Sequence, residues 1–152
     1  MGELTLKEAL YHFCQSFVDE RTRRIKSQIK EIQEALESET KSSAGDKHET
    51  GRAMLQLERE KLGQQLAEAE HMGRVMDKVD ISSKKITASL GSLVKTTKAN
   101  YFLAISAGEF PSGSEKNYCI SLNTPIGIML FGKSVGETIG FNGEEIKIVK
   151  LE

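Results

Sequence analysis

The sequence has no tryptophan, two prolines and two cysteines, and aromatic residues fill only 6% of its 152 positions. Nowhere does an apolar run approach the ~20 residues that cross a bilayer. The segment Met1 to Lys7 has neither the basic start nor the apolar stretch of a secretory signal. Cys14 and Cys119 lie far apart in differently patterned regions, which argues against a disulfide framework and predicts two small buried hydrophobes in a reducing cytoplasm. Charge of one sign is also missing. The net charge is −1, and the first 80 residues hold 13 Lys and Arg against 16 Asp and Glu, the rest 8 against 6. Neither half is polarised enough for electrostatic binding to nucleic acid or a membrane surface, so independent sequence-specific DNA binding is not expected. With 38% hydrophobic and 28% charged residues, the chain has enough apolar material for a modest core and is not of disordered composition.

Glycine and proline are both absent from Leu6 to Ser38. Over that stretch Leu10, Phe13, Phe17, Ile25, Ile29, Ile32 and Leu36 recur at steps of three and four, broken by one polar gap. This is the stripe of a helix meeting one partner. A second helical segment runs from about His48 to Val79, with Leu55, Leu62, Leu66, Ala69 and Met76 as its stripe. The polar stretch from Glu39 to Gly45 separates the two. Pairing Leu36 with Leu55, Ile29 with Leu62 and Ile25 with Leu66 keeps the sum of paired positions constant. That predicts an antiparallel coiled-coil hairpin turning between Gly45 and Asp46, with arms about 45 Å long at the helical rise. Helices of a larger bundle, or a dimerising coiled coil, would show the same periodicity.

Gly45-Asp46-Lys47-His48-Glu49 falls at the turn end. Asp46 is placed to cap the returning helix, with Glu49 at capping-box spacing. The same spacing also sets two carboxylates side by side at an exposed tip, where their oxygens suit a divalent cation completed by ligands from another molecule. Both readings stand on the sequence.

After Asp80 the pattern becomes that of a small β domain. Ile86 to Thr97 is rich in β-formers, Tyr101 to Ile105 and Tyr118 to Leu122 read as strands, and Gly108 to Ser114 reads as a loop. Thr124 as N-cap with Pro125 at the first helical position predicts a short helix. Asn142-Gly143 between two alternating segments predicts a tight hairpin. The expected class is α+β: a two-helix hairpin over 1–80, then a small antiparallel β domain with one short helix over 81–152.

Two motifs make this arrangement specific. Gly45-Asp46-x-x-Glu49 is similar to the G-D-x-x-E-N tip of the Gre transcript-cleavage factors. Ile120-Ser121-Leu122-Asn123-Thr124-Pro125-Ile126-Gly127, followed by Leu130, Gly132-Lys133 and Val135-Gly136-Glu137, resembles that family's I-S-x-x-S-P-[IL] … L-x-G-K-x-x-G-D element. The resemblance spans nearly the whole chain. It implies an FKBP-like C-terminal domain docked at the mouth of the secondary channel of bacterial RNA polymerase, with Ser121, Asn123, Thr124, Pro125 and Ile126 at the contact. It also implies that Asp46 and Glu49 help hold a second Mg²⁺ in the polymerase active site, beside the nascent RNA 3′ end. The factor would then stimulate cleavage of backtracked RNA by the polymerase without being an enzyme itself, and would bind no cofactor stably alone.

The tip departs from the family pattern. Where E-N-A-E-Y is common, this chain reads Glu49-Thr50-Gly51-Arg52-Ala53. Lys47, His48 and Arg52 become candidate contacts to RNA or polymerase carboxylates, and the change admits a regulator that occupies the channel without stimulating cleavage. A polymerase-independent coiled-coil adaptor or chaperone is the third reading. Prolyl isomerase activity is disfavoured by the scarcity of aromatics in the β half. His12, His48 and His71 lack the Cys or acidic partners of a zinc site. Gly132-Lys133-Ser134 lacks the upstream glycine of a phosphate loop. The cluster Arg21, Arg23, Arg24 and Lys26 sits beside Asp19 and Glu20 as a solvated face, and no nucleophilic triad is present.

Overall fold

The computed structural model describes residues 3–41, 45–111 and 113–152, with side chains described outside 40–48. The architecture is a long N-terminal helical hairpin followed by a six-stranded, mostly antiparallel sheet. Helix α1 spans Leu6–Lys41 and α2 spans Gly45–Lys78, 36 and 34 residues respectively. Six strands follow: β1 (Leu93–Thr96), β2 (Asn100–Ala104), β3 (Gly108–Phe110), β4 (Asn117–Ser121), β5 (Thr138–Phe141) and β6 (Glu144–Leu151), with helix α3 (Pro125–Leu130) after β4. By compactness the chain divides into two units, Val18–Gly73 and the combination of Met1–Phe17 with Arg74–Glu152.

Unit Val18–Gly73 is an antiparallel helix pair. Ile25, Ile29, Leu62 and Ala69 form its buried core, with Ile32 and Leu66 packed against them. The predicted pairing of Ile29 with Leu62 and Ile25 with Leu66 therefore holds. The same register brings Gly73 against Val18, whose Cγ1 would lie 3.7 Å from a Cβ at that glycine. The helices extend further toward the turn than their apolar stripes do. Glu39 to Lys41 is helical, and Gly45 already belongs to α2. Gly45 and Asp46, expected to flank the turn, thus both lie inside α2.

In the other unit, α1 begins with a capping box absent from the sequence reading. The Thr5 hydroxyl accepts from the Glu8 amide at 3.1 Å, and the Thr5 amide reaches back to the Glu8 carboxylate at 3.5 Å. Past this cap the buried positions of this unit's part of α1 are Lys7, Leu10 and Cys14, so the stripe is rotated from the expected Phe13 and Phe17, both only half-buried. Phe13 meets Phe110 of β3 edge to face, with ring centroids 5.2 Å apart.

The sheet order is β3-β4-β2-β1-β6-β5. Three corrections to the expected domain follow. Gly108–Phe110 is an edge strand within the stretch read as loop, too short and exposed to show alternation. The β2–β4 pair is parallel, Asn100 facing Asn117 through Ala104 facing Ser121, so the sheet is not wholly antiparallel. Of the stretch Ile86–Thr97 only β1 is strand, and Ile86 itself is 88% exposed. The Asn142-Gly143 hairpin forms as expected, with φ of 51° and 78° at its two residues.

Strand β2 is buried at every position, as a strand covered on both faces must be. Tyr101 and Leu103 join Val94, Ile146, Ile148 and the α3 residues Ile126 and Leu130 in one core. Phe102, Leu93 and Cys119 alternate with those positions and point to the opposite face, where all three are buried. Cys119 there meets Cys14 of α1 in a side-chain hydrogen bond. The cysteines expected to lie apart are neighbours, because the root of α1 packs on β4.

Candidate functional site

The candidate residues fall at two places, one in each unit. At the turn end of the helix pair, Asp46 lies in the first turn of α2 and Glu49 at the start of the second. Because the helix starts at Gly45, Asp46 is a first-turn residue and not the N-cap, which corrects the capping expectation for it. Positions three apart share a helix face, and a helix N-terminus favours negative charge. Glu49 is exposed. The side chains of Asp46, Lys47 and His48 lie outside the described residues.

Gly51 and Arg52, next to the turn end of α2, lie against the opposite arm. The Arg52 guanidinium donates to the Leu36 carbonyl at 3.3 Å and is half-buried. A Cβ at Gly51 would stand 3.5 Å from a Glu39 carboxylate oxygen. That is an ordinary van der Waals distance, so space does not require glycine here, and it costs up to about 1 kcal/mol of helix propensity relative to alanine. Arg52, expected from sequence as an outward contact, thus also links the two arms. Sequence reading missed that role, and the only available signal was that its position lies near Leu36 in the antiparallel register.

The second place is the segment from β4 into α3. Thr124 is the N-cap in extended conformation, with φ −79° and ψ 158°. Its hydroxyl accepts from the Gly127 amide at 3.1 Å and donates to the Ser121 carbonyl at 2.8 Å, while Pro125 sits at the first helical position. One hydroxyl thus ties the end of β4 to the start of α3. The Ser121 hydroxyl in turn donates to the Asn123 side-chain oxygen, and the Ser121 amide donates to the Ser106 hydroxyl at 3.2 Å.

Gly127 completes this bend by close approach. A Cβ there would collide with the Ser121 carbonyl and come within 2.8 Å of the Thr124 hydroxyl and 3.2 Å of the Leu122 Cα. Asn123 and Pro125 are exposed, Ser121 and Thr124 half-buried, and Ile126 is buried in the sheet core. Of the predicted docking residues, Asn123 and Pro125 face solvent directly, whereas Ile126 holds the helix in place. Ile128 and Phe131, which the motif did not single out, and Val135, which it includes, extend the exposed surface with apolar side chains at 63, 55 and 56% exposure.

A third motif residue, Glu137, closes the following loop. Its carboxylate accepts from the Ser134 amide at 2.7 Å and hydroxyl at 3.0 Å. The backbone bond, then the hydroxyl bond, holds its carboxyl below the usual carboxylate range. Ser134 therefore belongs to a turn closed by the Glu137 carboxylate.

Among the described residues no group of three His, Cys, Asp or Glu side chains could hold a metal ion, and no helix is long and apolar enough to cross a membrane. No family model matches the chain, and no curated protein matches it. A solved structure of the transcription factor Gfh1 matches over 86% of this chain and 92% of that one, at 18% sequence identity and a TM-score of 0.34.

Proposed function

We propose that this chain is a Gre-type factor of the bacterial cytoplasm that works on RNA polymerase through its secondary channel and stimulates cleavage of backtracked RNA. The observation that carries this reading is the turn end of the hairpin. Within Val18–Gly73 the two arms run roughly 35–45 Å at the helical rise, and α2 begins at the turn end with carboxylate residues at 46 and 49. A probe of that length and so narrow a section suits delivery of side chains into a channel.

Glu49 is exposed, and with Asp46 would contribute two of the oxygen ligands of a cation whose remaining ligands come from the polymerase. When bound, Mg²⁺ supplies charge neutralisation at the phosphodiester under attack. The role of this chain is to position carboxylates, so it is not an enzyme in its own right and takes no cofactor of its own. Lys47, His48 and Arg52 would border the RNA 3′ end. In the other unit the Thr124-capped bend presents Asn123 and Pro125 for docking on the polymerase surface, with Ser121 and Ile126 supporting them.

A second reading has a specific observation behind it. Arg52 is held to the Leu36 carbonyl, and Thr50-Gly51-Arg52-Ala53 replaces the family's asparagine, acidic residue and aromatic. A tip so altered is compatible with a regulator that fills the channel without promoting cleavage. Docking is common to both readings and is tested by capture of purified cognate polymerase on immobilised protein. Wild type is expected to retain polymerase, and the Asn123→Ala/Pro125→Ala variant to retain several-fold less. Equal, negligible capture by both proteins would remove polymerase as the partner and leave the adaptor reading.

A further inference from the structure

The two cysteines are a pair that no part of the proposed function uses. Cys14 comes from the third turn of α1 and Cys119 from the middle of β4, and they are 0 and 1% exposed. Their side chains share a hydrogen bond. The neighbouring contacts fix this placement independently: Phe13 packs on Phe110, and β3 pairs with β4 so that Gly108 faces Cys119. The strand alternation sends Cys119 away from the core that holds Tyr118 and Ile120 and toward the root of α1.

The geometry points to a latent dithiol lock, in which peroxide oxidation joins Cys14 to Cys119 and fastens the root of α1 covalently to the sheet. The reaction balances with hydrogen peroxide as the oxidant. One thiolate attacks a peroxide oxygen, the O–O bond breaks, and a sulfenic acid forms as hydroxide departs and is protonated to water. The second sulfur then attacks the sulfenic sulfur, the S–O bond breaks, and a second water leaves with the proton of that thiol. Two thiols lose one electron each, and one peroxide is reduced to two waters.

Closed packing opposes the first step. The hydrogen bond with Cys14, then burial, pushes the Cys119 thiol up and away from its reactive thiolate. The lock therefore sets only when the first turns of α1 lift from β4 and admit peroxide, and the disulfide forms as they return. Its rate follows the population of the opened state. Because the cysteines lie at opposite ends of the chain, the link closes a long loop and restricts the unfolded chain strongly.

The test uses the wild-type chain incubated with hydrogen peroxide, in buffer and in sub-denaturing urea, and read by intact mass, non-reducing peptide mapping and thermal unfolding. The expected product has lost two hydrogens, carries a Cys14–Cys119 linked peptide, forms faster in urea, and unfolds about 5–10 °C higher until reduced. Cys14→Ala and Cys119→Ala, each checked for native circular dichroism, should give no intramolecular link and no gain in thermal midpoint. Three results would overturn the lock: two free thiols after treatment in urea, sulfinic acids or intermolecular dimers as the sole products, or a linked species that unfolds at a lower temperature.

Discussion

Replacing Gly127 by alanine adds one methyl group at a position with no space for it. The new Cβ would meet the Ser121 carbonyl, the Thr124 hydroxyl at 2.8 Å and the Leu122 Cα at 3.2 Å. Two of these are backbone atoms, so rotating a flexible side chain cannot relieve the clash. Either α3 shifts away from the end of β4 or the bend opens. In both cases the Thr124 hydroxyl loses its bonds to the Gly127 amide and the Ser121 carbonyl. Overpacking costs roughly 1–3 kcal/mol and loss of an N-cap about 1 kcal/mol, so a destabilisation of about 3 kcal/mol is expected. For a chain of this size that corresponds to a fall in thermal midpoint of about 6–12 °C. Thermal and urea unfolding followed by circular dichroism would measure it, with two companion variants. Thr124→Ala removes the cap alone and should cost about 1 kcal/mol, whereas Thr124→Ser keeps a capping hydroxyl and should cost little. If Gly127→Ala unfolds within about 0.5 kcal/mol of wild type, within the range of unremarkable surface changes, the close approach between α3 and β4 is refuted.

Leu62→Ala should destabilise the helix pair by about 2–5 kcal/mol, because Leu62 is 4% exposed between Ile25 and Ile29; hydrogen exchange should place the loss in residues 18–73, and unchanged protection there would contradict the register. Acid should weaken the fold through three carboxylates. Asp80 is held low by the Ser82 hydroxyl and amide, and Glu137 by the Ser134 amide and hydroxyl. Glu152, despite burial that pushes it up, is held low by its ion pair with Lys95, 3.0 Å away. With folded values below unfolded ones near 4, their contribution is present at neutral pH and is lost as pH falls through the folded values. Glu137→Gln should therefore flatten the decline in thermal midpoint below about pH 4, and an unchanged pH profile would show the Ser134 bonds to be weak in solution.

The helix pair was legible because burial along it is one-dimensional. A stripe at steps of three and four and a constant pairing sum are enough to name Ile29 opposite Leu62, and Val18 beside Gly73 obeys the same rule. Near the sheet the stripe misled, since α1 there packs on a surface instead of a helix and buries Leu10 and Cys14 while Phe13 and Phe17 stay half-buried. Thr124 and Pro125 were readable as a cap because capping is a local event among neighbouring residues. Strand β3 was not readable, as three exposed edge residues carry no periodicity. Nor was the parallel pairing of β2 with β4, which depends on how the intervening chain crosses the sheet. The meeting of Cys14 with Cys119 is of the same kind, since nothing near either cysteine specifies the other. At the tip, spacing identified Asp46 and Glu49, whereas the return of Arg52 to the Leu36 carbonyl is visible only after the arms are placed side by side.

The most direct measurement is RNA cleavage in backtracked elongation complexes of the cognate polymerase at saturating Mg²⁺, comparing wild type with Asp46→Asn/Glu49→Gln and with polymerase binding monitored in parallel. Shortened transcripts with wild type alone, at equal occupancy, are the predicted result. Equal occupancy with no cleavage by either protein would contradict carboxylate donation and assign the chain to regulators that fill the channel.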